Sequence, residues 1–250
     1  MLEKKYDWEN PAVIKRNKED GHVIAFSYDT AKKAGARDTP DSKMTLNGDW
    51  KFHWQRGLKG EPTDFYYPHF DDLSWRTIRV PSVWQTEKTG SVPYYYASTF
   101  PRAISRTKSK IPTIDHDMQE IGHYRRVFTL PKNFEGKEIL LHFGAVKSAM
   151  ELYVNGEFVG YSQNSMTPHE FNVTKYIQSG ENLVCVKVYR YSDATYIEDQ
   201  DMWWLCGIYR EVFLYCEEKV CLRDFFVTTD LDETYTDSDT NVEVTVHNYE

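Results

Sequence analysis

From Met44 onward apolar residues recur at every second position. Trp50, Phe52 and Trp54 alternate with polar residues just after the Asn47-Gly48 turn signal. Side chains two apart share one face of a strand, so each such run predicts a half-buried strand. Thr77–Val80 runs into Pro81, and Tyr124–Leu130 into Pro131. Proline cannot donate to a ladder and ends pairing. Ile139–Phe143 is an unbroken apolar run closed by Gly144, the pattern of a strand buried on both faces. Met150, Leu152 and Val154 alternate up to Asn155-Gly156, and Phe158–Tyr161 follows. Asn-Gly between two such runs predicts a hairpin, because both turn positions need positive φ. Leu183–Tyr189 and Tyr209–Tyr215 alternate again. Helical periodicity is weak throughout. Many short strands separated by turn signals predict an all-β sandwich or jelly roll.

The two ends differ from this body. Residues 1–42 lack a sustained period: Val13-Ile14 and Val23–Phe26 are short apolar islands, and Ala31–Ser42 is polar with turn residues. An extended N-terminal arm is expected over 1–42, with a mobile stretch near 30–42. The main domain is expected over 43–216. Glu217-Glu218-Lys219 is a charged break. Val220–Thr228 then reads as a strand, Asp230–Asp239 as an acidic turn region, and Val242, Val244 and Val246 as a second strand. Two strands do not make an independent domain. Residues 217–250 are therefore expected to open a second β domain that is cut off.

Composition narrows the function. At 250 residues the chain is too short for a sandwich plus a (β/α)₈ barrel, since the barrel alone takes roughly 250 residues. The net charge of −8 is at odds with a general nucleic-acid binder, which needs a basic face. No run of 18 apolar residues exists to span a membrane. The start, Met1–Trp8, lacks the apolar core of a signal peptide. Cys185, Cys206, Cys216 and Cys221 show no CxxC spacing, which argues against zinc and fits a reducing cytoplasm. Aromatic residues reach 15%, first of all the mark of an aromatic-rich β core.

Candidate chemistry concentrates in Glu198-Asp199-Gln200-Asp201-Met202-Trp203-Trp204. Three carboxylates in four positions must each be solvated, hydrogen-bonded or cation-bound. A solvated acidic loop is one reading. A sugar site is the other, since carboxylates accept from hydroxyls and an indole covers sugar C–H groups. A complete glycosidase site would need two carboxyl groups roughly 5–9 Å apart, one with a raised pKa. Nothing marks Asp199 or Asp201 as a buried acid. His142 and His169 read as structural, and Arg125-Arg126 as a sheet-edge or salt-bridge pair. Tyr94-Tyr95-Tyr96 reads as cover for a sheet edge, with a sugar groove as the alternative.

Several segments together resemble the start of glycoside hydrolase family 2 β-galactosidases. They are Asp7–Pro11, Leu46–Phe52, Val80–Gln85, Phe143–Ala149 leading to Val154–Gly156, Pro168–Thr174, Glu198–Trp203 and Gly207–Arg210. The resemblance covers about 8 to 216. It implies a jelly-roll sugar-binding domain, then an immunoglobulin-like domain in which the chain stops, then a catalytic barrel outside the chain. The acid/base and nucleophile glutamates, and magnesium, would belong to that barrel, leaving no catalytic residue here and an inactive isolated chain. It implies a retaining enzyme acting on β-galactosides, a homo-oligomer when full length. Asp201 matches the aspartate that contacts galactose hydroxyls and, with ligands from the barrel, a sodium ion; Trp203 stands beside it in the same motif. Anchoring on Thr99-Phe100-Pro101, Ala97 stands where the family commonly offers a sugar-binding Asn, so that amide is missing. Trp204 and Cys206 replace the common Arg and Ser. The alternative is a stand-alone carbohydrate-binding module, and a third reading is a purely structural β-sandwich.

Overall fold

The computed structural model describes residues 6–95, 110–198 and 201–250. Their regular structure is almost entirely antiparallel strand. In chain order these are β1 (Lys15–Arg16), β2 (Lys43–Thr45), β3 (Gly48–Arg56), β4 (Arg76–Val80), β5 (Glu120–Thr129), β6 (Glu138–Phe143), β7 (Val146–Lys147) and β8 (Ala149–Val154). There follow β9 (Glu157–Gln163), β10 (His169–Asn172), β11 (Glu181–Tyr189), β12 (Gly207–Ile208), β13 (Val212–Glu217), β14 (Val220–Leu231) and β15 (Ser238–Asn248). Two short helices are α1 (Ala31–Ala36) and α2 (Thr195–Glu198).

A seven-stranded sheet in the order β1-β9-β8-β11-β5-β3-β4 faces a four-stranded sheet in the order β10-β6-β13-β2. This is the expected β-sandwich. Alternation along the strands builds the core between the sheets. Trp50 and Phe52 of β3 meet Met150, Leu152 and Val154 of β8, Val184, Val186 and Val188 of β11, and Leu141 and Phe143 of β6. Trp84 packs into the same core against Gly122 of β5, where an added Cβ would fall 2.4 Å from the indole. The Asn155-Gly156 turn between β8 and β9 has positive φ at both residues, as the hairpin requires.

Two expectations need correction. The run Tyr209–Tyr215 is not one strand. Only its end, from Val212, belongs to a strand, β13; Tyr209–Glu211 link β12 to β13, with the Tyr209 amide bonding Ala145 O at 3.3 Å and pairing with β6 beginning at Val212. Of the two readings of Arg125-Arg126 the sheet edge is the one corrected, since β5 lies between β11 and β3, while the salt bridge is present: Arg125 pairs with Asp72 at 2.7 Å, and Arg126 donates to Asp49 O at 2.8 Å.

The N-terminal segment is docked on the sandwich. Trp8 is fully buried, stacking on Tyr6 with ring centroids 4.9 Å apart and lying 5.4 Å from Tyr189. Glu9 Oε1 accepts from the Ile114 amide at 2.7 Å, and β1 adds an edge strand to β9. Within the stretch read as mobile lies α1. Its N-terminus is capped by Thr30, whose hydroxyl accepts from the Lys33 amide at 3.3 Å.

The hairpin β14–β15 stands outside both sheets. Its bulge, between Leu222 and Asp224, turns Arg223 towards the sandwich. There the guanidinium bonds Glu170 at 3.1 Å and Glu19 at 3.2 Å. His22 and His142 also bond Glu170, at 2.7 and 3.0 Å. One buried ionic cluster thus joins the N-terminal segment, the sandwich and the hairpin.

Candidate functional site

The acidic motif lies at one end of the sandwich, after α2. Asp199 and Gln200, like Tyr96 and Ala97, lie outside the described residues. Asp201 adopts φ 50°, in the left-handed region that Asp tolerates better than most residues. Its carboxylate is exposed, and Oδ1 accepts a hydrogen bond from the Tyr95 hydroxyl at 2.8 Å. That bond, with the negative charge behind it, raises the Tyr95 pKa and keeps the phenol protonated. Tyr95 forms a β-bridge with Trp203, and their rings lie 5.5 Å apart. Both rings are open to solvent, Tyr95 by 48% and Trp203 by 58%. Asp201 Oδ2 has no hydrogen bond among the described residues. The structure therefore brings Asp201, Trp203 and Tyr95 together as an exposed carboxylate beside two open aromatic surfaces.

The motif is anchored from beneath. Trp204 is fully buried, and its amide bonds Tyr94 O at 2.8 Å. The guanidinium of Arg190, at the end of β11, lies under the loop. It donates to Trp204 O at 3.0 Å, Val92 O at 2.8 Å, Ser91 Oγ at 2.9 Å and Glu120 Oε1 at 2.7 Å. Glu120 in turn accepts from Ser91 and from the Trp54 indole. Planar, multiply donating Arg suits this task, since it ties two separate chain segments to one buried carboxylate.

Sequence reasoning named Asp201 and Trp203 as candidates, read Tyr95 as cover for a sheet edge with a sugar groove as the alternative, and did not name Arg190. One signal was present: Arg190 is a charge between two tyrosines at the end of an apolar strand. His142 and His169 are structural, as expected. His142 bonds Glu170, and His169 bonds Ser162 Oγ at 2.6 Å while burial pushes its pKa down to about 3. Burial likewise pushes the Cys185 thiol up to about 12, in keeping with a small apolar core residue. All four cysteines are free.

For a metal, the described residues offer no group of three His, Cys, Asp or Glu side chains. Asp201 can supply one carboxylate oxygen to a hard cation, and further ligands would have to come from outside the described residues.

Comparison with known proteins identifies the family. The profile of "Glycosyl hydrolases family 2, sugar binding domain" matches residues 44–218, and the chain belongs to that family. It is 36% identical over 246 residues to a β-galactosidase of Priestia megaterium, covering 97% of this chain and 24% of that protein. It is 39% identical over 237 residues to a β-galactosidase of Vibrio cholerae, covering 95% of this chain and 22% of that protein. The chain thus spans about a quarter of the length of these relatives. Among solved structures, β-glucuronidase of Bacteroides uniformis superposes with a TM-score of 0.57 at 26% identity, over 76% of this chain and 20% of that one. β-Glucuronidase of Bifidobacterium dentium superposes at 0.61 over 84% of this chain and 37% of that one, with 17% identity, and shares the fold.

Proposed function

We propose that this chain is the N-terminal sugar-binding region of a β-galactosidase and forms one wall of its galactose pocket. The observation that carries the reading is the Asp201 carboxylate, exposed beside the open rings of Trp203 and Tyr95 and held by the buried Arg190 anchor. A carboxylate with a free oxygen accepts strong, charge-assisted bonds from sugar hydroxyls, and open rings cover C–H faces. In the enzyme containing this chain, Asp201 orients galactose and provides one ligand to a sodium ion. The acid and nucleophile of a double-displacement reaction come from a barrel outside these residues. Magnesium and the homo-oligomeric assembly go with that barrel. On this reading the first segment is an arm, 43–216 is the sugar-binding domain, and 217–250 begins an immunoglobulin-like domain. The free cysteines fit a cytoplasmic enzyme. In place of Ala97 the pocket relies on other donors.

The test is Asp201→Ala in the enzyme that includes the barrel. Each hydroxyl bond lost from a charged acceptor should lower kcat/KM about 10- to 100-fold, with the melting temperature unchanged. Near-parental kinetics would refute the assignment. The 250-residue chain by itself should hydrolyse no galactoside. Activity that copurifies with it and disappears in Asp199→Ala would place catalysis within this chain and overturn the reading.

A further inference from the structure

The outer face of the seven-stranded sheet, away from the Asp201 loop, holds a cavity of about 520 Å³. This lies inside the roughly 300–1,000 Å³ range of small-molecule sites. Glu151 and Tyr153 of β8 and Lys187 of β11 line it together with Glu61, Thr63 and Tyr6. Glu151 and Lys187 are direct cross-strand neighbours on the face turned away from the core.

The donors and acceptors here do not close on themselves. The Lys187 side chain is nine-tenths buried. Its ammonium has three protons, and among the described residues it makes one hydrogen bond, to Glu61 Oε1 at 2.9 Å, with the rings of Tyr189 and Phe65 5.8 and 6.0 Å away. Glu151 Oε2 lies 3.7 Å away, too far for a full bond. Burial lowers the Lys187 pKa, but the charges of Glu151 and Glu61 outweigh burial and the net shift is upward, so the cation persists. Glu151 is held by two phenols, Tyr153 at 2.7 Å and Tyr189 at 2.8 Å. Glu61 Oε2 has no hydrogen bond among the described residues. A buried cation with unused protons therefore sits beside a carboxylate with an unused oxygen, both lining one cavity.

Charge selects the class of guest. Glu61 and Glu151 against the single ammonium of Lys187 leave the lining net negative, which disfavours an anion, while a simple cation would make no use of the Lys187 protons. A neutral guest with neighbouring hydroxyls uses both kinds of group, because each hydroxyl both accepts from the ammonium and donates to the carboxylate. Tyr6 is stacked on Trp8 and is 37% exposed, leaving apolar surface for C–H groups. We propose that this cavity is a second saccharide-binding site, taking a neutral pyranoside through adjacent hydroxyls. It does not depend on Asp201, which lies on a different loop.

The experiment is a ¹H–¹⁵N NMR titration of the 250-residue chain with methyl β-galactoside and with maltose, to about 0.1 M, where a Kd near 10 mM is already saturating. Amide shifts at Glu61, Thr63, Glu151 and Lys187 are expected with at least one of the two sugars. Glu61→Gln and Lys187→Met should weaken them about tenfold or more. Because those variants alter buried charge, Tyr6→Ala and Thr63→Val serve as variants that leave the ionic cluster intact, and both should weaken binding. Asp201→Ala should leave these shifts unchanged, so a failed pocket assignment and a failed second site are told apart. Galacturonate should bind more weakly than the neutral sugars. The proposal is overturned by an absence of shifts at these amides with both sugars, by shifts that survive all four cavity variants, or by shifts that vanish in Asp201→Ala.

Discussion

Replacing Arg190 with methionine removes a buried side chain that joins β11 to the underside of the Asp201 loop. Its guanidinium is 2% exposed and makes four hydrogen bonds, to Glu120, Ser91, Val92 O and Trp204 O. Taking one partner from a buried ion pair costs about 3–5 kcal/mol, because the remaining charge is stranded. The two carbonyls also lose a charged donor, at about 1.5–3 kcal/mol each if nothing replaces it. Water can reach the Val92 side, leaving the ion pair and one carbonyl, so we expect a total of about 5–8 kcal/mol. That is a large share of the roughly 5–15 kcal/mol that holds a domain together. The cost should divide in a specific way. Arg190→Lys keeps the charge facing Glu120 but loses the fork to the two carbonyls, and should cost about 2 kcal/mol. Adding Glu120→Gln to Arg190→Met removes the stranded carboxylate and should recover about half of the loss. Urea unfolding followed by tryptophan fluorescence gives these differences, and the exchange rate of the Trp204 amide reports on the loop itself. The account fails if Arg190→Met lies within about 1 kcal/mol of the parent, or if the double variant is no more stable than the single one.

Acid should destabilise the chain in two steps. Burial, with Lys18 nearby, holds His169 down to about 3 against an ordinary 6.5. The unfolded chain therefore takes up the extra proton first, and stability falls as pH drops from about 6.5 towards 3. For Glu170 burial acts upward, but bonds from His142 and His22 and the charge of Arg223 bring it down to about 2 against 4.5, so its contribution is lost between about 4.5 and 2. Melting temperatures across this range should show His169→Gln flattening the upper step and Glu170→Gln the lower; a parental slope in both variants would contradict the assignments. Trp8→Ala should cost about 3–5 kcal/mol, as expected for a buried indole, and should open the N-terminal segment to limited proteolysis. Proteolysis at the parental rate would show that Trp8 is not what docks it.

The strands were legible wherever a side-chain period of two recorded one wet and one dry face. Trp50 and Phe52, Met150 and Leu152, and Val184 and Val186 all face the core, as their alternation requires. The Asn155-Gly156 turn was legible because its backbone admits few residue types. The period says nothing about a strand's partner, however. It did not show that the run Tyr209–Tyr215 becomes strand only from Val212, nor that Arg125 lies on an interior strand of its sheet. Nor could it reveal that the irregular first segment is pinned by Trp8, since that burial is created by Tyr6, His116 and Tyr189, one of them 181 residues further along the chain.

For the candidate site the division is similar. Residue types drew attention to the run 198–204 but left it open between a solvated loop and a sugar site, and the resemblance to a family motif picked out Asp201 and Trp203 as candidates. That Tyr95 joins them, and that Arg190 holds the loop against Glu120, depended on strands brought together from distant parts of the sequence. The same holds for Lys187 between Glu61 and Glu151. One-dimensional order carries the chemical type of each group and the local period of the backbone. Burial, charge pairing and unused hydrogen-bonding capacity arise only between groups that the closed sandwich makes neighbours.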